Sequence, residues 1–218
     1  MFWRRKASIS DDLAGWIEDS FDWVAGQFGA DWFSKRPLVT PTASFFTAKK
    51  SDIPGLAKEI ASALDHNAPF HILPIQTMAA EYRYDPTALS SVAGQYHHDN
   101  DTPLITYDPE LQAQPLAFIN TIAHEIMHAR LAPYIHDMLG GEAVHELTTD
   151  LHCITHGMGI FALEGPAQAG WSGYMTLESR AWALARFLER TGKTVEDTRG
   201  WLSGRQSKAL SRAIRESS

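Results

Sequence analysis

His124-Glu125-Ile126-Met127-His128 puts two imidazoles and a carboxylate inside the stretch Pro115 to Leu131, which reads as one helix. Residues four apart on a helix stand one turn above each other on the same face, so both rings can converge on one metal ion about 2.0–2.1 Å from each nitrogen. Hydrolysis asks for more: a third protein ligand, an open position for water, and a base beside that water, the part Glu125 could take. With ten histidines in 218 residues, this pattern should arise by chance in roughly two such chains in a hundred. The plain alternative is a pair of satisfied helix histidines with a surface glutamate. Ile119, Ile122 and Ile126 give the helix an apolar side opposite the His pair, and Pro115 stands where a first-turn proline is tolerated.

A third ligand should come from a second helix. Gly140-Gly141 breaks the chain, and Glu142 to His156 then runs without Pro or Gly. Glu142, Glu146 and Asp150 recur every four residues along it as one acidic stripe. Glu146 can complete a His/His/Glu set, and Asp150, one turn on, can accept the second ring N–H of a ligand histidine and fix its tautomer. The competing reading of the stripe is a solvated acidic face. His145, His152 and His156 form a separate ridge roughly 100–120° round the helix and are not expected as co-ligands. Cys153, the only cysteine, reads as a small buried residue and excludes an internal disulfide.

HExxH followed, after seventeen intervening residues, by Glu146-Leu-Thr-Thr-Asp150 resembles the gluzincin arrangement of thermolysin-like zinc peptidases and minigluzincins. The resemblance implies that His124, His128 and Glu146 hold zinc, that Glu125 is the general base, and that Asp150 orients a ligand. More loosely, the whole chain resembles small bacterial HExxH proteins of unassigned function, with a Trp-rich first helix and a Gly-rich turn after the Asp-bearing helix.

Several elements must position these groups. Ser10 or Asp11 can cap a first helix in which Leu13, Trp16, Ile17, Phe21, Val24 and Phe28 follow helical spacing. The aromatics Trp3, Trp16, Phe21, Trp23, Phe28, Trp32 and Phe33 are expected to pack this helix onto the body, with a partner surface as the alternative. A short strand is expected at 44–47, a helix at 52–64 entered through Pro54, a strand at 70–75 and a loop over 77–90. Val92 to His97 and Leu104 to Tyr107 flank the turn 98–101 as a hairpin, which leads into the HExxH helix and offers an edge for an extended substrate. His97 and His98 point to opposite faces, and both are read as surface histidines. After His156, Gly157, Gly159, Gly165-Pro166, Gly170 and Gly173 read as a mobile segment bordering a cleft. Tyr174 within it is a candidate for donating its phenol to a tetrahedral oxyanion. A helix from Thr176 to Gly192 and shorter pieces at 194–202 and 208–215, the last frayed, finish the chain.

The composition narrows the class. Hydrophobic residues make up 44% and aromatics 11%, as in a folded domain, and a net charge of −7 carries no basic footprint for nucleic acid. No apolar run is long enough to span a bilayer. Asp11 and Asp12 interrupt the apolar region that a signal peptide would need after Arg4-Arg5-Lys6, so the chain is expected to keep its start and to be cytoplasmic.

The expected architecture is α+β, one zincin-like domain over 1–218. Within it, 1–36 is the Trp-rich helix, 37–112 a helix and a small, mainly antiparallel sheet, 113–158 the metal-site helices and 159–218 the C-terminal helices. The expected function is zinc-dependent hydrolysis of a peptide or protein substrate. The alternatives are a non-catalytic zinc module that binds a protein partner and a zinc hydrolase acting on a non-peptide amide. The sequence is silent on oligomeric state.

Overall fold

The structure is a computed structural model and describes residues 7–42, 52–75, 94–97, 102–170 and 173–217. Helix α1 spans Asp11–Phe28, and its cap is Ser10, whose hydroxyl accepts the Leu13 N–H at 3.3 Å. Ile17, Phe21 and Val24 point inward. Helix α2, Ile53–Ala63, begins at Asp52, whose carboxylate accepts the Gly55 N–H at 2.9 Å. Trp3, the strand expected at 44–47, the loop at 77–90, the turn 98–101 with His98, and the His97 side chain fall outside the described residues.

Strands β1, His71–Pro74, β2, Gly94–His97, and β3, Leu104–Tyr107, form one sheet in the order β1-β3-β2. β2 pairs antiparallel with β3, as the expected hairpin requires, with Tyr96 opposite Ile105. β1 pairs parallel with β3, with Ile72 opposite Ile105, so the sheet is mixed and not mainly antiparallel. Pro74, which has no N–H to give a ladder, sits on the outer strand.

The HExxH helix, α3, spans Pro115–Leu131, as the spacing predicts. It is not one-sided: Phe118, Ile119, Ile122, Ala123, Ile126, Met127 and Leu131 are all buried, and so are Glu125 and His128. A helix apolar nearly all round is a core helix. Its first N–H groups are met by Gln168 Oε1, which accepts from Leu116 at 2.9 Å and from Ala117 at 3.3 Å.

The helix expected to bear Glu146 and Asp150 is shorter than the sequence suggests. A tight turn over Gly141–Val144 leads into α4, His145–Cys153, and a wide turn over Ile154–Met158 follows. Gly157, at φ 100°, kinks the chain, and a Cβ there would lie 2.2 Å from the Pro37 carbonyl oxygen. Beyond the kink the expected mobile segment is instead α5, Gly159–Gln168, with Pro166 inside it and buried as far as that proline except at Glu164. Its glycines serve contact as well as turning: a Cβ on Gly165 would come within 2.8 Å of the Leu116 carbonyl oxygen on α3.

Thr176 caps α6, Leu177–Arg190, by accepting the Ser179 N–H at 3.2 Å. The piece expected at 194–202 is only a tight turn, Val195–Thr198. The last helix, α7, spans Gly204–Ser217, longer than the piece expected at 208–215: Leu210 and Ala213 are buried against the core, and Glu216 accepts the Ser8 N–H at 2.9 Å. The α1 aromatics pack inward. Trp23 meets the His152 ring at 5.5 Å, Phe28 meets Trp32 at 4.7 Å, and Trp32 meets His156 at 5.2 Å. No helix among the described residues is long and apolar enough to cross a membrane.

Candidate metal centre

Helices α3 and α4 lie side by side, and three donors from them form a small triangle. His124 Nε2 lies 2.9 Å from His128 Nε2 and 3.1 Å from Glu146 Oε2, and His128 Nε2 lies 3.3 Å from the same oxygen. Around a tetrahedral ion with bonds of about 2.0–2.1 Å, neighbouring donors stand about 3.3–3.4 Å apart. The triangle therefore fits one face of such a site with only a small expansion. Two nitrogens and one oxygen form a donor set suited to a divalent transition metal. Among the described residues these three are the one such group.

Each ring is held from behind. His124 Nδ1 meets Asp150 Oδ1 at 3.0 Å, so a carboxylate accepts its N–H and turns Nε2 toward the triangle. His128 Nδ1 is 3.3 Å from Thr149 Oγ1 and 3.2 Å from His145 Nε2. The Thr149 hydroxyl donates to the His145 carbonyl at 2.9 Å, leaving its lone pairs to accept from His128 Nδ1–H. With partners at both Nδ1 atoms, Nε2 is the nitrogen of each ring left for an ion to take in place of a proton.

The acidic stripe divides by burial. Glu142 is exposed in the turn before α4, Glu146 is half-buried at the triangle, and Asp150 is buried. Burial opposes ionisation of Asp150, but the His124 hydrogen bond and the Arg180 charge outweigh it and hold the carboxyl at about 2. Burial likewise opposes charge on Glu146 and is overcome by hydrogen bonds from both histidines, which push its pKa far down. His124 is disfavoured by burial as a cation, yet Asp150 and Glu146 lift it to about 10, whereas burial drives His128 down. Three converging donors with this much negative charge behind them call for one shared positive charge, whether a proton or a metal ion.

Glu125 is only 7% exposed. Burial raises its pKa to about 7, with the charge on His124 opposing and those on Glu146 and Asp150 adding. It stands outside the donor triangle but within its field, where a carboxyl poised near neutrality can exchange a proton. Tyr174 is 60% exposed, and its ring stacks on His124 with centroids 6.0 Å apart and planes 16° apart. Burial of its hydroxyl end and the nearby acids raise its phenol, so it stays a donor.

Sequence reasoning brought together His124, Glu125, His128, Glu146, Asp150 and Tyr174, and the fold places them in one locality. It set His145 aside with His152 and His156. The latter two are indeed buried in the aromatic cluster with α1, but His145 touches His128 from outside. Arg180 was missed, although its position between Leu177 and Ala181 on the inward stripe of α6 was a usable signal. Cys153 is buried as expected, and burial raises its thiol well above the usual range. Comparison with protein-family models, with curated proteins and with solved structures finds no match.

Proposed function

We propose that the chain is a zinc-dependent hydrolase, most simply a peptidase, with His124, His128 and Glu146 as the metal ligands. The observation that carries the reading is a buried Glu125, its carboxyl pushed up to about 7 by burial, beside a site that among the described residues has three donors and not four. A structural zinc site is ordinarily closed by four protein ligands and has no use for a base. The order of the donors, HExxH and then Glu-x-x-x-Asp, supports the reading by its resemblance to gluzincin peptidases.

Zinc held by His124, His128 and Glu146 would supply Lewis acidity, acidifying water and polarising a carbonyl. Glu125 accepts the proton of the attacking water and returns it to the leaving amine, a double task suited to a pKa near 7. Asp150 holds the His124 ring throughout, and Thr149 holds that of His128. Tyr174, standing over His124 with its proton retained, donates to the oxygen on which negative charge develops.

The test is metal analysis of the purified chain together with cleavage of a broad peptide library. One equivalent of zinc per chain and hydrolysis lost on chelation, then restored by zinc, are the expected results. Zinc bound at one equivalent with no hydrolysis of any peptide or small amide would favour the protein-binding module. Asp150→Ala provides a finer measurement. Zinc affinity, read by competition with a chromophoric chelator, should fall roughly 10–100-fold, because the ring behind a ligand is released while no bond to the ion is removed. Unchanged affinity would return Asp150 to a purely structural role.

A further inference from the structure

We propose that Arg180 is a positioning residue of the metal centre: it occupies one oxygen of Asp150 so that the other is held for His124. The inference rests on the reading of His124, His128 and Glu146 as metal ligands and extends it to a third helix.

Arg180 is 1% exposed, an expensive place for a cation. Its guanidinium is directed three ways: Nε donates to the Met175 carbonyl at 3.1 Å, Nη1 to the Ala162 carbonyl at 2.8 Å, and Nη2 to Asp150 Oδ2 at 2.7 Å. Asp150 Oδ2 also accepts the N–H groups of Tyr174 at 2.8 Å and Met175 at 3.1 Å. Three donors thus fix one carboxylate oxygen, and Oδ1 faces His124 Nδ1 at 3.0 Å. A carboxylate without that hold could turn about its terminal bond, and the Oδ1 contact that orients the His124 ring would loosen.

The backbone closes over the pair. Gly173 has φ 98°, and a Cβ there would lie 2.1 Å from Arg180 Nη2 and 3.1 Å from Asp150 Oδ2. The same oxygen also anchors the segment that carries Tyr174 above His124, so ligand orientation and the candidate oxyanion donor share one support. Stability alone accounts poorly for this choice of residue, because buried ion pairs can often be replaced by apolar side chains at little or no cost. Lysine would keep the charge but not the planar fork that reaches three acceptors in different directions.

The experiment compares wild type, Arg180→Lys, Gly173→Ala, Asp150→Ala and Arg180→Lys/Asp150→Ala. Three quantities are read: melting temperature, zinc affinity by chelator competition, and the His124 Nδ1–H resonance by NMR. Arg180→Lys and Gly173→Ala, folded, should each bind zinc about 10-fold more weakly and show a weakened, faster-exchanging Nδ1–H resonance. In the Asp150→Ala background, Arg180→Lys should add almost nothing, since the cycle isolates what passes through Asp150. The proposal is overturned if both single variants match wild type in affinity and resonance, or if the Arg180→Lys loss persists in full without Asp150. Should wild type bind no zinc, the metal reading fails on its own, and the Nδ1–H resonance still decides the matter: unchanged in both variants it overturns the role of Arg180, and lost in either it supports it. If Arg180→Lys does not fold, Gly173→Ala carries the comparison.

Discussion

Glu146→Ala is expected to abolish stoichiometric zinc binding at micromolar metal, whereas Glu142→Ala, one turn earlier in the chain, should leave it intact. Glu146 Oε2 lies 3.1 and 3.3 Å from the two imidazole Nε2 atoms, and no other carboxylate among the described residues joins that group. Its removal leaves two neutral nitrogens and no anionic donor, a loss larger than the roughly 10–100-fold attached to a residue that only orients a ligand. Glu142 is exposed in the turn before α4 and contributes nothing to the triangle. Because Glu146 is itself half-buried on a helix surface, the fold should survive its truncation. The measurement is bound zinc per chain after gel filtration, with circular dichroism as the control for folding. Full stoichiometry in Glu146→Ala would sink the ligand assignment, and loss of zinc in Glu142→Ala would move the third ligand.

What could be read from the sequence was whatever local spacing determines. Pro115 and the His pair set α3, and the four-residue interval from Glu146 to Asp150 put one carboxylate at the triangle and the next behind a ring. Three helices start where the sequence put them, at Ser10, Asp52 and Thr176, and the structure adds that each of these side chains accepts a backbone N–H. Long-range packing stayed hidden. Nothing local distinguishes a strand that will pair antiparallel with its neighbour from one, like β1, that joins β3 in parallel across an intervening segment. The glycines after His156 looked like breaks because a sequence shows their freedom and not their contacts. Only in three dimensions does Gly165 become the point where α5 meets α3. The inward position of Arg180 on α6 could be read, but its role could not, since its acceptors lie 30, 18 and 5 residues away.

Glu125→Gln should fold, bind zinc as wild type does, and lose hydrolysis by about 10²–10⁴-fold, the contribution of a positioned general base. Glutamine keeps the shape and polarity of a side chain that is only 7% exposed, and it stands outside the three donors, so neither packing nor the ligand set changes. The fold is expected to gain. A carboxyl whose folded pKa is raised to about 7 costs stability that accrues as pH climbs from its unfolded value to about 7 and stays lost above that, and the amide removes the cost. Catalysis needs the opposite property. Wild-type activity should fall on the acid side as Glu125 takes up a proton, with a midpoint no higher than about 7, because a cation held by neighbouring His124 favours the carboxylate. The residual activity of Glu125→Gln should lack that acid limb. The assay is peptide cleavage across pH at equal zinc content. A variant that cleaves as fast as wild type would refute the role of Glu125. Wild type and variant alike inert toward peptides and small amides, each with zinc bound, would leave an ion that holds a surface in shape for a protein partner.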